Sequence, residues 1–336
     1  MILAGDIGGT STRLALFDVG DRVDALAIGV FASASLDRLD DAVDDFLRTA
    51  PGQVHAACFG VAGPVVDGRA TLPNLPWAVD AQALAQRLRV GYVDVINDLE
   101  ANAYGISGLA PDDLVALNDA AGRPASNRAI LSAGTGLGEA GLYWDGTRHH
   151  AIASEGGHAD FAPRTELERD LLRELQQGTP HVSYERVLSG EGLHRIFTFL
   201  RRRTGQPQPE WVIEAAHRHA APAAISKAAL ERTSETAVES LRVFVSCLGA
   251  EAGNLALRMM AIGGVYLGGG IAPKILPALQ DGTFMTAFVD KGRMKSLLET
   301  IPVFVIRNDH TALHGAARVA AMRLDGAEAY ASANVG

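Results

Sequence analysis

Residues 2–18, ILAGDIGGTSTRLALFD, decide the fold. Two apolar runs, Ile2–Asp6 and Thr12–Asp18, flank the reversal Gly8-Gly9-Thr10, so the segment reads as strand, glycine turn, strand. Outward from this hairpin, strands are expected at Ala25–Phe31, His55–Ala62 and Gly91–Ile96, with helical patterns at Leu36–Ala50 and Asp80–Leu88 between them. Strands alternating with helices predict an α/β sheet. The opening recurs near Ala129: Ile130–Ala133, the turn Gly134-Thr135-Gly136-Leu137-Gly138, then Glu139–Trp144. The echo predicts two halves built alike.

Thr165-Glu166-Leu167-Glu168 is a capping box for a helix that Gly178 and Pro180 stop. The longest helical stretch runs from Ala223 to about Ile262 and puts Ala237, Leu241, Phe244, Leu248, Ala252 and Leu255 on one face. This central packing helix feeds Val265–Leu267, the cluster Gly268-Gly269-Gly270, and a helix start at Pro273.

The chain has 336 residues, enough for two domains or one large α/β unit. Apolar residues are 48% and charged residues 21%, an ordinary globular composition. Lys+Arg 30 against Asp+Glu 39 gives −9, which argues against broad attraction to nucleic acid or anionic membrane and suits a small neutral substrate. Arg201-Arg202-Arg203 is read as a helix C-terminus rather than a nucleic-acid patch. Cys58 and Cys247 lie in apolar runs and are read as reduced core residues. Ala261–Ala272 is too short to span a bilayer, and Met1–Ala4 followed by Asp6 lacks the pattern of a signal peptide. The expected location is the cytosol.

Glycines at a strand end remove Cβ atoms and let backbone N–H groups approach phosphate oxygens, while Thr10, Ser11, Thr12 or Thr135 supply hydroxyls. The alternative is a plain hairpin turn. Three such loops, at Asp6–Thr10, Gly134–Gly138 and Gly268–Gly270, together point to nucleotide binding. No Walker A pattern is present, and the single GxGxxG match, Gly136–Gly141, runs into an expected strand, not a helix. HExxH, GxSxG and paired CxxC motifs are absent, and His149-His150 and His217/His219 lack further ligands at metal spacing.

Asn97-Asp98 follows an apolar strand and precedes the helical pattern Leu99–Ile106. One reading is a helix cap, with Glu100 reaching back to Asn97. The other is a carboxylate at a strand's C-terminal end, where open α/β sheets bind ligands, able to accept a proton from a hydroxyl nucleophile. Glu155 and His158 flank a glycine pair, and Glu185 precedes Ser189-Gly190. Each taken alone is a surface or capping group. With the amides of Asn74 and Asn97, they form the hydrogen-bonding set that a polyhydroxylated sugar requires.

DIGGT at Asp6–Thr10, NLPW at Asn74–Trp77, IND ending at Asp98, AGTGLG at Ala133–Gly138, EGGHADFAP at Glu155–Pro163, ERVLSG at Glu185–Gly190 and LGGGIAPK at Leu267–Lys274 occur in this order. Over nearly its whole length the chain resembles the bacterial glucokinase family. The resemblance implies an α/β, two-domain actin/hexokinase-like (ribonuclease H-like) fold with an inter-domain cleft. The division expected is a small domain over 1–110, joined by a C-terminal helix at about 309–325, and a large domain over 111–308. The implied reaction is ATP-dependent phosphorylation of glucose at its 6-hydroxyl.

Carried over by resemblance, Asp98 is the general base, and Asn74, Asn97, Asp98, Glu155, His158 and Glu185 contact the sugar. Asp6, Gly8, Gly9, Thr10, Gly134, Thr135 and Gly136 hold phosphates, and Gly268, Gly269 and Gly270 hold the adenosine side. Asp6 organises Mg²⁺ through water. Glucose, ATP and a homodimer partner are implied, with no nucleic acid and no membrane. The CxCGxxGC zinc cluster of the related repressor/ORF/kinase group is absent, as is a helix-turn-helix before DIGGT. Two departures stand out: Ser154 where glycine is more frequent, and Glu139, acidic where apolar residues are common. A kinase for mannose, fructose or an amino sugar, and a non-catalytic sugar or nucleotide sensor, are the alternative readings.

Overall fold

A computed structural model describes residues 1–18, 25–50, 52–72 and 75–333; Asn74 lies outside them. The chain forms two compact units: Met1–Pro111 with His149–Ala153 and Asn308–Gly336, and Asp112–Arg148 with Ser154–Arg307.

The first unit is built on β1 (Ile2–Ile7), β2 (Ser11–Phe17), β3 (Ala25–Ala32) and β4 (Ala56–Val61). A small antiparallel sheet of β5 (Val65–Val66), β6 (Arg69–Thr71) and β7 (Ala78–Asp80) precedes β8 (Tyr92–Asn97). The main sheet has the order β3-β2-β1-β4-β8. β1 and β2 form the antiparallel hairpin expected from DIGGT, with Ile2 opposite Phe17 and Ile7 opposite Thr12. β4 and β8 then add in parallel.

Strand periodicity sorts the core. Leu3, Ile7, Leu14 and Leu16 pack toward Val43 and Phe46 of α1 (Leu39–Thr49). Ile2, Ala4, Ala15, Phe17 and Cys58 pack toward Leu313, Ala316, Ala317 and Ala320 of the C-terminal helix Thr311–Ala333. α2 (Ala81–Leu88) is capped by Asp80, whose side chain accepts from the N–H groups of Gln82 and Ala83. α3 (Asp98–Gly105) follows β8 and packs tightly on the C-terminal helix, where a side chain at Gly315 would collide with the Ala101 carbonyl.

The second unit contains β9 (Leu114–Ala116), β10 (Arg128–Ala133) and β11 (Leu137–Trp144), then β13 (Val265–Gly268) and β14 (Val303–Ile306); β12 (His149–Ile152) belongs to the first unit. These five strands run in the order β11-β10-β13-β14-β9. The echo read in the sequence is therefore architectural: in β2-β1-β4-β8 and β11-β10-β13-β14 alike, an antiparallel hairpin is extended by two parallel strands.

The helices of this unit include α4 (Glu166–Gln176), α5 (Gly190–Arg203), α6 (Glu210–His217), α7 (Ala221–Leu230) and α8 (Glu235–Met259). The single helix expected over Ala223–Ile262 is thus two. Arg232 takes a left-handed φ of +56°, and Ser234 starts α8 by accepting from Ala237 N at 3.3 Å. The apolar face of α8, from Ala237 to Leu255, is buried as expected. The capping box of α4 closes on one side only. Thr165 Oγ1 accepts from Glu168 N at 3.2 Å, but the Glu168 carboxylate accepts from Arg164 N at 2.6 Å rather than from the cap residue. Arg201, Arg202 and Arg203 form the last turn of α5, with Arg202 paired to Glu174 and Arg203 to Asp170. Cys58 and Cys247 are free and buried, and burial pushes both thiols upward in pKa. Among the described residues no helix is long and apolar enough to cross a membrane.

Candidate active site

In the first unit the β1–β2 turn is held by Gly8 N donating to Ser11 O at 2.9 Å and Ser33 Oγ donating to Gly8 O at 2.7 Å. Gly9 and Thr10 are exposed at its tip. Asp6, at the end of β1, is partly buried, with the Arg13 guanidinium 3.7 Å from its carboxylate. Burial pushes the Asp6 carboxyl above its ordinary pKa, a shift that Arg13 and His310 oppose and Asp309 assists. Arg13 is itself held by donating to Asp309 O at 2.9 Å.

Asn97 ends β8 and Asp98 begins α3. Asn97 Oδ1 accepts from Leu99 N at 2.9 Å, its amide donates to Gly63 O at 3.2 Å, and Glu100 accepts from the Asn97 N–H. The cap is therefore real, and it is completed by Asn97 and Glu100. Asp98 Oδ1 also accepts from Leu99 N at 2.9 Å, so the carboxylate is oriented by the first turn of the helix, at the C-terminal end of a parallel strand.

In the second unit two of the glycine loops and the N-terminus of α5 meet. Gly134 O accepts from Gly190 N at 2.9 Å, where Ser189 caps α5 by accepting from Gly192 N at 3.0 Å. Ala133 O accepts from Ile271 N at 3.2 Å. Gly269, at φ +80°, lies so close to that same carbonyl that a side chain there would collide with it. Gly134–Gly136 and Gly268–Gly270 thus share one backbone junction beside a helix N-terminus, the arrangement that favours an anionic ligand. Thr135, Gly269 and Gly270 are exposed at it.

Glu155, Gly156-Gly157-His158 and Glu185 lie on segments that zip together. Tyr184 N donates to Ala159 O and Phe161 N to Val182 O, each at 2.9 Å, around the Asp160–Ser183 bridge. Glu155 and His158 side chains are about two-thirds exposed and 4.0 Å apart. Glu185 instead turns toward the glycine loop, accepting from Leu137 N at 3.0 Å. Gly156 N donates to Ser154 Oγ at 2.9 Å, so the serine departure braces the turn. Glu139 does not face the Gly134–Gly138 turn: it is fully buried against Glu251 and Arg258 of α8.

Sequence reasoning missed Asp309 and His310, which stand beside Asp6. The signal was present, since Asn308-Asp309 after β14 repeats the strand, Asn-Asp, helix pattern of Asn97-Asp98. Among the described residues no three His, Cys, Asp or Glu side chains form a metal cluster. One partly desolvated carboxylate, Asp6, with a loosely engaged arginine, fits Mg²⁺ that keeps its waters and arrives with phosphates.

The family model described as glucokinase matches residues 3–323. The chain belongs to the glucokinase family. It is 42% identical to a curated glucokinase from Nostoc sp. over 96% of this chain and 99% of that protein. The crystal structure of a glucokinase from an Antarctic psychrotroph superposes with a TM-score of 0.85 at 33% identity, covering 95% and 98% of the two chains. A ROK family glucokinase from Streptomyces griseus, solved with glucose and AMPPNP, shares the fold at a TM-score of 0.63 and 22% identity, over 95% and 98% of the chains. Glucokinases are sugar phosphotransferases, and this chain is an enzyme of that class with the actin/hexokinase-type fold.

Proposed function

We propose that the chain transfers the γ-phosphoryl group of MgATP to the 6-hydroxyl of glucose, with Asp98 as general base. The observation that carries this reading is the Asp98 carboxylate at the exit of β8, next to a cap that Asn97 and Glu100 complete. Asp98 accepts the hydroxyl proton as O6 attacks the γ-phosphorus in line; the bond from phosphorus to the bridging oxygen breaks, and glucose 6-phosphate and ADP result. Asn97, Glu155, His158 and Glu185, with Asn74, satisfy the sugar hydroxyls. With Gly8 N bonded to Ser11 O and Gly134 N bonded to Gly136 O inside the two turns, the N–H groups of Gly9 and Thr10 and of Thr135 and Gly136 beside the α5 N-terminus take phosphate oxygens, and Gly268–Gly270 takes the adenosine side. Asp6 would hold Mg²⁺, which would supply charge neutralisation at the phosphates. Glucose is favoured by kinship with the Nostoc enzyme, and ATP by the AMPPNP in the Streptomyces complex together with the glycine junction.

The test is ADP release, measured with a coupled assay, from MgATP and a panel of glucose, mannose, fructose and glucosamine, run beside Asp98→Ala. Glucose-dependent ADP release that vanishes in the variant supports the reading. ADP release by none of the sugars, with glucose or ATP still bound by calorimetry, replaces it with a sensor. A cytoplasmic homodimer is part of the proposal, and sedimentation equilibrium at the monomer mass refutes the dimer.

A further inference from the structure

Glu139 is the third residue of β11 and has no exposed surface, and Glu251 of α8, facing it, has none either. Two carboxyls enclosed together do not both ionise cheaply. Arg258 pairs with Glu251 and stands 3.5 Å from Glu139 Oε2, so one guanidinium serves two acids. Neither Glu139 oxygen has a well-formed hydrogen bond, whereas Glu251 also accepts from Asn254 Nδ2 at 2.8 Å. Burial, and then the charge of Glu251, push the Glu139 carboxyl up to about 8. Glu139 keeps its proton at neutral pH.

The pair touches the sugar-contact segments on two sides. Gly156 lies directly on Glu139 Oε2, and a methyl group there would collide with it. Gly156 belongs to the turn that carries Glu155 and His158. On the other side, Asn254 Nδ2 donates to the Tyr184 hydroxyl at 3.2 Å, and Tyr184 precedes Glu185. Lys291 Nζ donates to Asn254 Oδ1 at 2.7 Å and to Ala250 O at 2.9 Å, fixing the amide from behind. Arg164 and Asp290 act on Lys291 in turn.

We propose that the Glu139–Glu251 carboxyl pair is the positioning element of the sugar-contact turn: Glu139 through Gly156, and Glu251 through Asn254 and Tyr184, set the geometry of Glu155, His158 and Glu185. This rests on reading those three residues as hexose ligands. Glu139 touches no substrate; it is a positioning residue. As Glu139 loses its proton at higher pH, its charge adds repulsion under the turn, and glucose affinity falls while the nucleotide junction is untouched.

The experiment measures KM for glucose and for ATP from about pH 6.5 to about pH 9 in wild type, Glu139→Gln, Glu139→Ala and Glu155→Ala. Glu139→Ala raises the glucose KM about tenfold with the ATP KM within about twofold, as expected when support beneath a contact is lost. Glu139→Gln, which keeps the volume and the neutral form, holds the glucose KM near wild type at pH 7. The ratio of wild-type to Glu139→Gln glucose KM then climbs towards pH 9, and every pH effect common to both proteins cancels in it. Should Glu139→Ala fail to fold, Glu139→Asp, which withdraws the carboxyl by one methylene, makes the same comparison. A flat ratio, or equal effects on both substrates, overturns the inference. If Glu155→Ala leaves the glucose KM unchanged, the sugar-site reading itself fails; if it raises that KM while the Glu139 variants do not, only the positioning role fails.

Discussion

Asp98→Asn separates the two roles that residue could serve, because the structure assigns the helix cap to its neighbours. Asparagine keeps the oxygen that accepts from Leu99 N at 2.9 Å, and leaves Asn97 and Glu100 in place. What is lost from the fold is one negative charge in the first turn of α3, about 0.3–1 kcal/mol. At this chain size that is a fall in Tm of a few degrees at most. What is lost from the reaction is the group that takes the hydroxyl proton, worth about 10²–10⁴ in rate, or about 3–5 kcal/mol of barrier. The expected result is a kcat reduced at least about 100-fold, a glucose Kd changed little by calorimetry, and a nearly unaltered melting curve. The reasoning is refuted by turnover within a few-fold of wild type. It is equally refuted if activity is lost together with a large drop in Tm, since Asp98 would then be a structural cap.

Asn97→Ala removes the acceptor for Leu99 N and the donor to Gly63 O, so thermal denaturation should show a loss of about 1 kcal/mol together with a raised glucose KM. Gly269→Ala forces a side chain into φ +80° against Ala133 O, a conformational penalty of about 1–2 kcal/mol before the clash. Its expected signature is a raised ATP KM with calorimetric glucose binding retained, and an unchanged ATP KM counts against the nucleotide junction. Asp6→Asn should stabilise the fold at neutral pH while impairing turnover and raising the Mg²⁺ requirement. The folded Asp6 pKa lies above the ordinary 3.8, so its charged form is the costly one once pH exceeds the folded value. Below about 3.8 both states are protonated and the gain disappears, so differential scanning at descending pH checks the sign.

The fold was largely legible because its deciding signals are local. DIGGT announces a hairpin through apolar runs on either side of glycines, and its echo at Ala133–Gly138 marks the second sheet. Pairings made across long stretches of chain left no such trace: β9 joins β14 antiparallel, with Val115 opposite Val305. The break between α7 and α8 was hidden because Arg232 and Ser234 interrupt an otherwise unbroken apolar rhythm without glycine or proline. In the site, Asn97 and Asp98 were readable as a strand-to-helix junction. The tether from Glu185 to Leu137 N was not, since 48 residues separate the partners. Glu139 was visible only as an acid out of place, because its partner Glu251 sits on α8, far along the chain.

The C-terminal helix carries a consequence for how the protein is made. One face of the first sheet, formed by Ile2, Ala4, Ala15, Phe17 and Cys58, waits for Leu313, Ala316, Ala317 and Ala320, which are translated after every strand of that sheet. The strands that lead to Asp6 and Asp98 are synthesised before that helix, so their hydrophobic underside stays bare until residues 313–320 have been made. The second unit, whose main segment ends at Arg307, has by then been fully assembled into the chain. The first unit begins before the second and is completed after it, so a nascent chain gains its proposed catalytic base in a closed sheet only once residues 313–320 have docked.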